Sequence, residues 1–274
     1  MGLDVSSFKF LLHKSKEAEF KDTLTLGRQS CHTSLKKLKV SGWDKEYIPE
    51  YIEEICANLF GSYPNVQSID NSSYENATII HNMNNPINSD ANKEEFDTVL
   101  DLGTLEHVFN VKQSILNAIY LLKIGGRILH VLPCNNFGGH GFYQFSPEFF
   151  FSLYNKENGF GETEVFVKSL ASSSSYYKVK KPMNGKRALI TSIYPVYVFV
   201  STKKLKDIKE LKVQQSDYIN LWESFDDNAI KDNSNNFGGV PYWDKWPIKY
   251  IYRPYSIMKS SVSFLNPYLK KFKF

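Results

Sequence analysis

Two polar segments of this 274-residue chain carry side chains that suit proton transfer. The first, at residues 103–107, reads GTLEH and contains His107; the second, at residues 135–145, reads NNFGGHGFYQF and contains His140 and Tyr143. An imidazole titrates near neutral pH, so His107 is a candidate general base. His140 or Tyr143 could take a proton from an acceptor hydroxyl. The alternative for His107 is structural: it would pack on a helix start and bond a backbone carbonyl.

The elements around these segments form a strand–helix–strand pattern. Residues 96–102 (FDTVLDL) are apolar and β-branched, as in a strand that is covered on both faces. A helix follows, because apolar residues recur at helical spacing: Val111, Ile115, Ala118, Ile119 and Leu122. Gly125-Gly126 is predicted to stop this helix, residues 127–132 to form the next strand, and Pro133 to end its ladder. The two strands should be parallel, and ligands bind beyond the carboxyl ends of such strands, where both polar segments lie.

The second polar segment leads into a predicted helix. Ser146 suits the N-cap, Pro147 the first helical position and Glu148 the first turn. The segment would thus be held at its far end, which would aim His140 rigidly. Core packing is expected for the phenylalanines nearby, Phe142, Phe145, Phe149 and Phe150.

An earlier strand, residues 23–26 (TLTL), ends at a glycine turn. Gly27 would let the backbone approach a ligand closely. Arg28 could meet a carboxylate, and Gln29 could hydrogen-bond a ligand. A surface turn with solvated side chains is an equal alternative.

Two more strands are predicted before residue 96. Residues 65–70 end on Asp70, an acid at the carboxyl end of the strand, which could be a turn aspartate. Residues 77–81 are followed by Asn82 and Met83, which could form a plain Asn-Pro turn.

The runs FDTVLDLGTLEHVFN and LLKIGGRIL resemble the second half of a class I S-adenosylmethionine-dependent methyltransferase. The segment GHGFYQFSPEFFF resembles the substrate-side loop of a bacterial subset of that family, often found among glycan-biosynthesis genes. The resemblance covers roughly residues 24–160. It implies an α/β fold: a doubly wound, mostly parallel seven-stranded sheet with an antiparallel C-terminal strand.

The resemblance also implies a cofactor, S-adenosylmethionine, and roles for particular residues. Cofactor binding would fall to Gly27, Arg28, Gln29, Asp70, Asn82, Met83 and Gly103. Catalysis would fall to His140, His107 and Tyr143, and no metal would be needed. The chain departs from the family at its first turn, where a GxGxG loop is reduced to Gly27 alone. Because of that loss, the cofactor could be held more loosely, be placed differently or be absent.

Composition narrows the class of protein. The chain is 42% hydrophobic and 15% aromatic, enough for one sizeable core. Its net charge of +4 is mild and interspersed, which argues against a nucleic-acid partner. Cys31, Cys56 and Cys134 are too few and too widely spaced for a disulfide framework, so a cytoplasmic location is expected. No apolar run approaches a membrane span, and the oligomeric state stays open.

Three regions are expected along the chain: an amphipathic helix at residues 1–22, a methyltransferase-like domain at 23–202, and a helical and aromatic extension at 203–274. Within them we predict a mobile flap at 31–43, a helix from Ile48 to Leu59 with Pro49 in its first turn, strands at 164–170 and 192–202, and a charged helix at 203–213.

The resemblance implies that the protein transfers a methyl group to an oxygen or nitrogen of a small molecule. A sugar or glycan precursor is one possibility for this acceptor. The alternative is a non-catalytic relative that keeps the fold as a binding or scaffold protein. A nicotinamide enzyme is disfavoured, because GxGxxG is absent and 43 residues, rather than about 20, separate Gly27 from Asp70.

Overall fold

The structure, a computed structural model, describes residues 2–63, 65–87, 93–171, 175–182, 188, 190–207, 210–215 and 269–272. Its strands are β1 Gly2–Leu3, β2 Thr23–Leu26, β3 Ser30–Cys31, β4 Val66–Asp70, β5 Ile79–Ile80, β6 Phe96–Asp101, β7 Leu122–Asn135, β8 Phe160–Ser169, β9 Tyr176–Val179, β10 Val196–Lys204 and β11 Leu269–Phe272. Its helices are α1 Val5–Glu17, α2 Leu35–Val40, α3 Glu53–Leu59, α4 Val111–Leu121 and α5 Pro147–Leu153, with one 3-10 turn at Leu105–His107.

Nine strands form one sheet in the order β11-β9-β8-β10-β7-β6-β2-β4-β5. The strands β5, β4, β2, β6 and β7 are parallel, and β10 runs antiparallel between β7 and β8. This is the predicted doubly wound α/β fold with an antiparallel C-terminal strand, and the prediction is confirmed. The sheet extends beyond the seven expected strands, because β9 and β11 add an antiparallel edge next to β8. A separate parallel pair joins β1 to β3.

Hydrophobic cores cover both faces of the sheet. Successive residues of β6 alternate between them: Val99 joins the core under α4 and α5, and Leu100 joins the core under α1 and α3. This alternation explains why the central strands are apolar at nearly every position. None of the helices in the described part of the chain has the length and apolar character that crossing a membrane requires.

Helix α1 packs on the sheet and begins where the side chain of Asp4 accepts a hydrogen bond from the Ser7 backbone N–H at 2.7 Å. Within the predicted span of residues 1–22, the helix is shorter and follows a two-residue strand. Lys14 is 1% exposed, and its ammonium is paired with Glu17 and Glu164. A buried lysine is tolerated here because carboxylates surround its charge.

Three predicted elements differ from the structure. Residues 31–43, expected to be a mobile flap, contain the second residue of β3 and all of α2, and their Leu38 and Trp43 are buried in the core. The helix predicted from residue 48 begins only at Glu53, so Pro49 lies outside it. The charged helix predicted at 203–213 is wrong for the described residues: 203–204 end strand β10, and 205–207 and 210–213 are not helical.

Two boundaries also move. Helix α4 ends at Leu121, before Gly125-Gly126, and strand β7 then runs through both glycines and Pro133 to Asn135. The predicted strand at 77–81 shrinks to the two residues of β5. Most of the extension expected at 203–274 lies outside the described residues, which include 203–207, 210–215 and the short strand β11.

We expect Phe10→Ala to lower the free energy of unfolding by about 3 to 5 kcal/mol, because truncating a buried aromatic side chain leaves a cavity. Phe10 is fully buried, with its ring 5.4 Å from that of Phe199 and 6.3 Å from that of Phe166. Urea denaturation measures the loss. The control is Lys16→Ala, an exposed position on the same helix, which should change stability by less than about 0.5 kcal/mol. Equal effects of the two substitutions would contradict the packing of α1 on the sheet.

Candidate functional site

The carboxyl ends of the parallel strands form one rim. Strand β2 ends next to the turn that follows β6, because the Thr104 hydroxyl donates to the Leu26 carbonyl at 2.5 Å. On the other side, the Gly27 N–H donates to the Ile69 carbonyl of β4 at 2.8 Å. The rim therefore collects the turns that contain Gly27, Asp70 and Thr104.

Gln29 fills the first turn of this rim. Its side-chain amide donates to the Leu26 carbonyl at 2.6 Å and to the Thr104 hydroxyl at 3.0 Å, and the residue is only 4% exposed. Gly27 has a positive φ of 69°, and a Cβ there would lie 2.7 Å from the Thr104 hydroxyl oxygen. The lone glycine is thus required by close packing, and the Gln29 amide nitrogen is already used within the turn.

Arg28 points away from Gln29 and is held by α3 and the loop after β4. Its Nε lies 3.0 Å from a Glu53 carboxylate oxygen, its guanidinium lies 3.9 Å from the centre of the Tyr51 ring, and it donates to the Glu75 carbonyl. Arg28 therefore makes specific contacts with the protein, whereas one expectation from the sequence was a surface turn with solvated side chains.

Asp70 lies at the carboxyl end of β4, and its carboxylate faces the first turn. One oxygen accepts from the Arg28 N–H at 3.3 Å and the other from the Asn71 N–H at 2.6 Å. A carboxylate has about four lone-pair directions, so each oxygen retains acceptor capacity. Both the ligand role and the turn role predicted for Asp70 are compatible with this arrangement.

Asn82 and Met83 follow β5 but do not share one environment. The side-chain oxygen of Asn82 accepts a hydrogen bond from the Asn84 backbone N–H at 3.0 Å and another from the Asn84 side-chain amide at 2.8 Å. Asn82 is exposed. Met83 is buried in the core, with its sulfur 3.8 Å from the Asn117 amide nitrogen. Asn82 therefore lies at the surface of the rim and Met83 lies beneath it.

Glu106, His107 and His140 form a cluster next to the turn at Gly103. Glu106 is fully buried, and its Oε1 lies 3.8 Å from His107 Nε2 and 3.5 Å from His140 Nε2. The two imidazole rings meet edge to face with centres 4.9 Å apart. Sequence reasoning named both histidines and missed the carboxylate between them, although Glu106 directly precedes His107.

The loop after β7 covers this cluster. Its Phe142 N–H donates to the Glu106 carbonyl at 2.6 Å, and a Cβ at Gly141, where φ is 69°, would lie 2.7 Å from that carbonyl oxygen. The Tyr143 hydroxyl donates to the Phe109 carbonyl at 2.8 Å. Tyr143 therefore holds the loop in place.

The far end of this loop is held as predicted. Helix α5 begins at Pro147, and the Ser146 hydroxyl accepts from the Phe149 N–H at 3.3 Å. Of the four phenylalanines expected in the core, Phe145 and Phe150 are buried and Phe149 is partly buried. Phe142 is 67% exposed, so that expectation is wrong for this residue. It meets the exposed ring of Phe109 edge to face.

A buried network that the sequence analysis missed lies under the cluster. His130 Nδ1 is 2.8 Å from an Asp101 carboxylate oxygen, and His130 Nε2 is 2.7 Å from the Tyr154 hydroxyl. A neutral imidazole satisfies both contacts if Nδ1 donates to Asp101 and Nε2 accepts from Tyr154. The other Asp101 oxygen accepts from the Thr104 N–H at 2.9 Å. The only sequence signal was polar residues inside apolar strands, at positions 101 and 130.

The burial of these groups changes their proton affinities. Burial, and then the charge of Asp101, raise the pKa of Glu106 to about 8. The pKa of His107 is lowered, mainly by burial and secondly by the charge of the neighbouring His140. Burial also raises the pKa of Tyr154. At neutral pH the cluster therefore favours a protonated carboxyl group next to a neutral His107.

One carboxylate oxygen of Glu106 and one ring nitrogen from each of His107 and His140 all lie within 4.8 Å of one another. Carboxylate and imidazole groups are common ligands of transition metals, so this cluster is the place where these residues could hold an ion.

Comparisons with known proteins find distant likenesses only. No family model matches the chain, and no curated protein sequence does. Among solved structures, a SAM-dependent methyltransferase of Thermotoga maritima is 15% identical, with 72% of this chain and 88% of that chain covered and a TM-score of 0.36. One of Aquifex aeolicus is 10% identical, with 71% and 88% covered and a TM-score of 0.38. The 1,6-didemethyltoxoflavin-N1-methyltransferase of Burkholderia thailandensis, solved with S-adenosylhomocysteine, is 11% identical, with 74% and 81% covered and a TM-score of 0.37.

We expect the thermal stability of Glu106→Gln to exceed that of the wild type by an amount that grows between pH 5 and pH 9. A folded-state pKa of about 8 lies above the ordinary value of 4.5, so this group stabilises the fold fully below pH 4.5 and the contribution is lost as pH rises through about 8. Melting curves in buffer with EDTA measure the difference. The control Glu157→Gln, at an exposed position, should follow the wild type at every pH. Parallel curves for wild type and Glu106→Gln would contradict the raised pKa.

Proposed function

We propose that this protein transfers a methyl group from S-adenosylmethionine to an oxygen or nitrogen of a small molecule. The observation that carries the proposal is the rim itself, in which an acidic residue ends β4 next to the first turn and two imidazoles follow β6 and β7. In an open α/β sheet, ligands bind at this edge.

The residues of the rim fit the nucleoside half of the cofactor. The Asp70 carboxylate retains lone pairs for two ribose hydroxyls, and the exposed side chain of Asn82 follows the neighbouring strand β5. Gly103, with a φ of 102°, takes a backbone conformation after β6 that favours glycine. When bound, the cofactor would supply a methyl group that its sulfonium has already activated.

The chain would then position the acceptor and take its proton. Nε2 of His140 has no hydrogen-bond partner among the described residues, and this nitrogen faces the buried Glu106. A base at this position would receive the proton of the attacking hydroxyl or amine. His107 would hold the ring of His140 through their edge-to-face contact, and Tyr143 would hold the loop.

A sugar or glycan precursor is the acceptor that we favour. The first support is the resemblance of the GHGFYQFSPEFFF segment to the substrate-side loop of methyltransferases found among glycan-biosynthesis genes. The second is the pair of exposed aromatic rings next to the cluster, Phe109 (73% exposed) and Phe142. Contiguous exposed apolar groups mark binding surfaces, and apolar walls with a few polar groups are typical of small-molecule sites.

A second candidate is a binding protein that has kept the fold without catalysis. The observation that favours it is the buried side chain of Gln29, which fills the turn where the family carries further glycines. In this case the rim would not accept the methionine half of the cofactor.

We expect S-adenosylmethionine or S-adenosylhomocysteine to stabilise the wild type, by about 2.7 kcal/mol at a hundredfold excess over the dissociation constant. Asp70→Ala should weaken binding at least about tenfold, because hydrogen bonds to a charged group contribute about 1.5 to 3 kcal/mol. Calorimetric titration measures the affinity. Asp44→Ala, which removes an exposed aspartate, is the control and should bind as the wild type does. No stabilisation of the wild type at millimolar ligand would contradict the methyltransferase.

Gln29→Gly separates the two candidates. If the rim binds the cofactor as it stands, this substitution removes two hydrogen bonds that support the turn and should lower both stability, by about 1 to 2 kcal/mol, and affinity. If Gln29 blocks the rim, the wild type should not bind and Gln29→Gly should gain binding. The shift in melting temperature with S-adenosylhomocysteine, compared with the ligand-free variant, distinguishes the two results. We expect the first.

A further inference from the structure

The Glu106 carboxyl group lies in the interior of the protein without a hydrogen bond. Neither of its oxygens has a hydrogen-bond partner among the described residues, and the same is true of Nε2 of His140, which lies 3.5 Å from Oε1. Buried polar groups in native proteins are nearly always satisfied, and an exception calls for an explanation such as an ion or water. Three unsatisfied atoms at one point indicate that something else binds between them.

The three side chains converge on that point from two loops. Glu106 and His107 belong to the 3-10 turn after β6, and His140 belongs to the loop after β7, whose backbone is bonded to Glu106 itself. Glu106 Oε1 is 3.5 Å from His140 Nε2 and 3.8 Å from His107 Nε2. In a four-coordinate zinc site with bonds of about 2.0–2.2 Å, ligand atoms lie about 3.3 Å apart. The three ligand atoms all lie within 4.8 Å of one another, and both histidines are partly exposed, so their rings could turn to close the remaining distance.

We propose that Glu106, His107 and His140 bind a divalent first-row transition metal ion, with Zn²⁺ as the best match. Two imidazoles and one carboxylate are the protein ligands of a type of catalytic zinc site that keeps its fourth position open. Mg²⁺ and Ca²⁺ are disfavoured, because both prefer all-oxygen ligands. The proposal departs from the sequence-based expectation that no metal takes part.

The open fourth coordination position suggests a role for the ion in methyl transfer, and this role rests on the proposed function. A hydroxyl of the acceptor would take that position, and the ion would lower its pKa, as it does for bound water, so that the proton passes to solvent. The acceptor oxygen would then form a bond to the methyl carbon as the bond from that carbon to the sulfonium sulfur breaks, which leaves S-adenosylhomocysteine. The His140 lone pair would then be used by the metal, so the ion would replace the imidazole as the group that activates the acceptor. The acceptor class is thereby narrowed to molecules that present a hydroxyl, which agrees with a sugar.

Isothermal titration of tag-free, EDTA-treated full-length protein with ZnCl₂ tests the site. We expect one ion per chain, and a loss of affinity of about 100-fold or more for each of Glu106→Gln, His107→Ala and His140→Ala, because three protein ligands hold the ion. The control is His32→Ala, an exposed histidine outside the cluster, which should bind as the wild type does. Co²⁺ provides a second readout, since its visible absorption should appear in the wild type and disappear in His140→Ala. Melting curves confirm that each variant is folded.

No binding at 1 mM ZnCl₂, or binding that survives both Glu106→Gln and His140→Ala, would overturn the site. Formation of S-adenosylhomocysteine separates this proposal from the function on which it rests. Specific Zn²⁺ binding without any stabilisation by S-adenosylmethionine would support the metal site and contradict the methyltransferase. Methyl transfer that proceeds at the same rate in EDTA would support the methyltransferase and overturn the role of the ion.

Discussion

The hydrogen bond between Asp101 and His130 joins the carboxyl end of β6 to the interior of β7, and the candidate site depends on it. One carboxylate oxygen contacts His130 of β7, and the other accepts from the N–H of Thr104, at the first residues of the turn after β6. His130 is in turn bonded to Tyr154, which follows α5. A single buried carboxylate thus sets the positions of two strands, a helix end and the turn that places Glu106.

This arrangement also controls the electrostatics of the rim. Burial, and then the negative charge of Asp101, raise the pKa of Glu106, because a second charge is unfavourable in a dry interior. The site therefore favours a proton or a cation on Glu106, and the two imidazoles next to it could share in binding a cation. The loop at Gly141 closes over the same carboxyl group, because only glycine fits against the Glu106 carbonyl with a positive φ. The turn after β6 and the loop after β7 are therefore held together through contacts at Glu106.

Much of this architecture could be predicted from local sequence, and the remainder depends on tertiary contacts. The alternating strand at 23–26 and the apolar stripe of α4 have clear periodicities, and both elements formed. Lys204, in contrast, reads as part of a solvated helix, yet it ends β10 with its ammonium bonded to the Ile119 and Leu122 carbonyls. Pro49 suited a helix start that the structure places later, because residues 50 and 51 instead pair with the segment at 30–31. In both cases, contacts with residues distant in the sequence determine the secondary structure.

The outermost strand of the sheet, Leu269–Phe272, pairs in an antiparallel fashion with β9. Without that strand, the residues Tyr176–Val179 would present unpaired backbone N–H and C=O groups along an exposed edge. Such an edge is a template for a strand from another molecule. A version of the protein shortened at residue 268 would therefore be prone to self-association through β9, even though its rim lies several strands away.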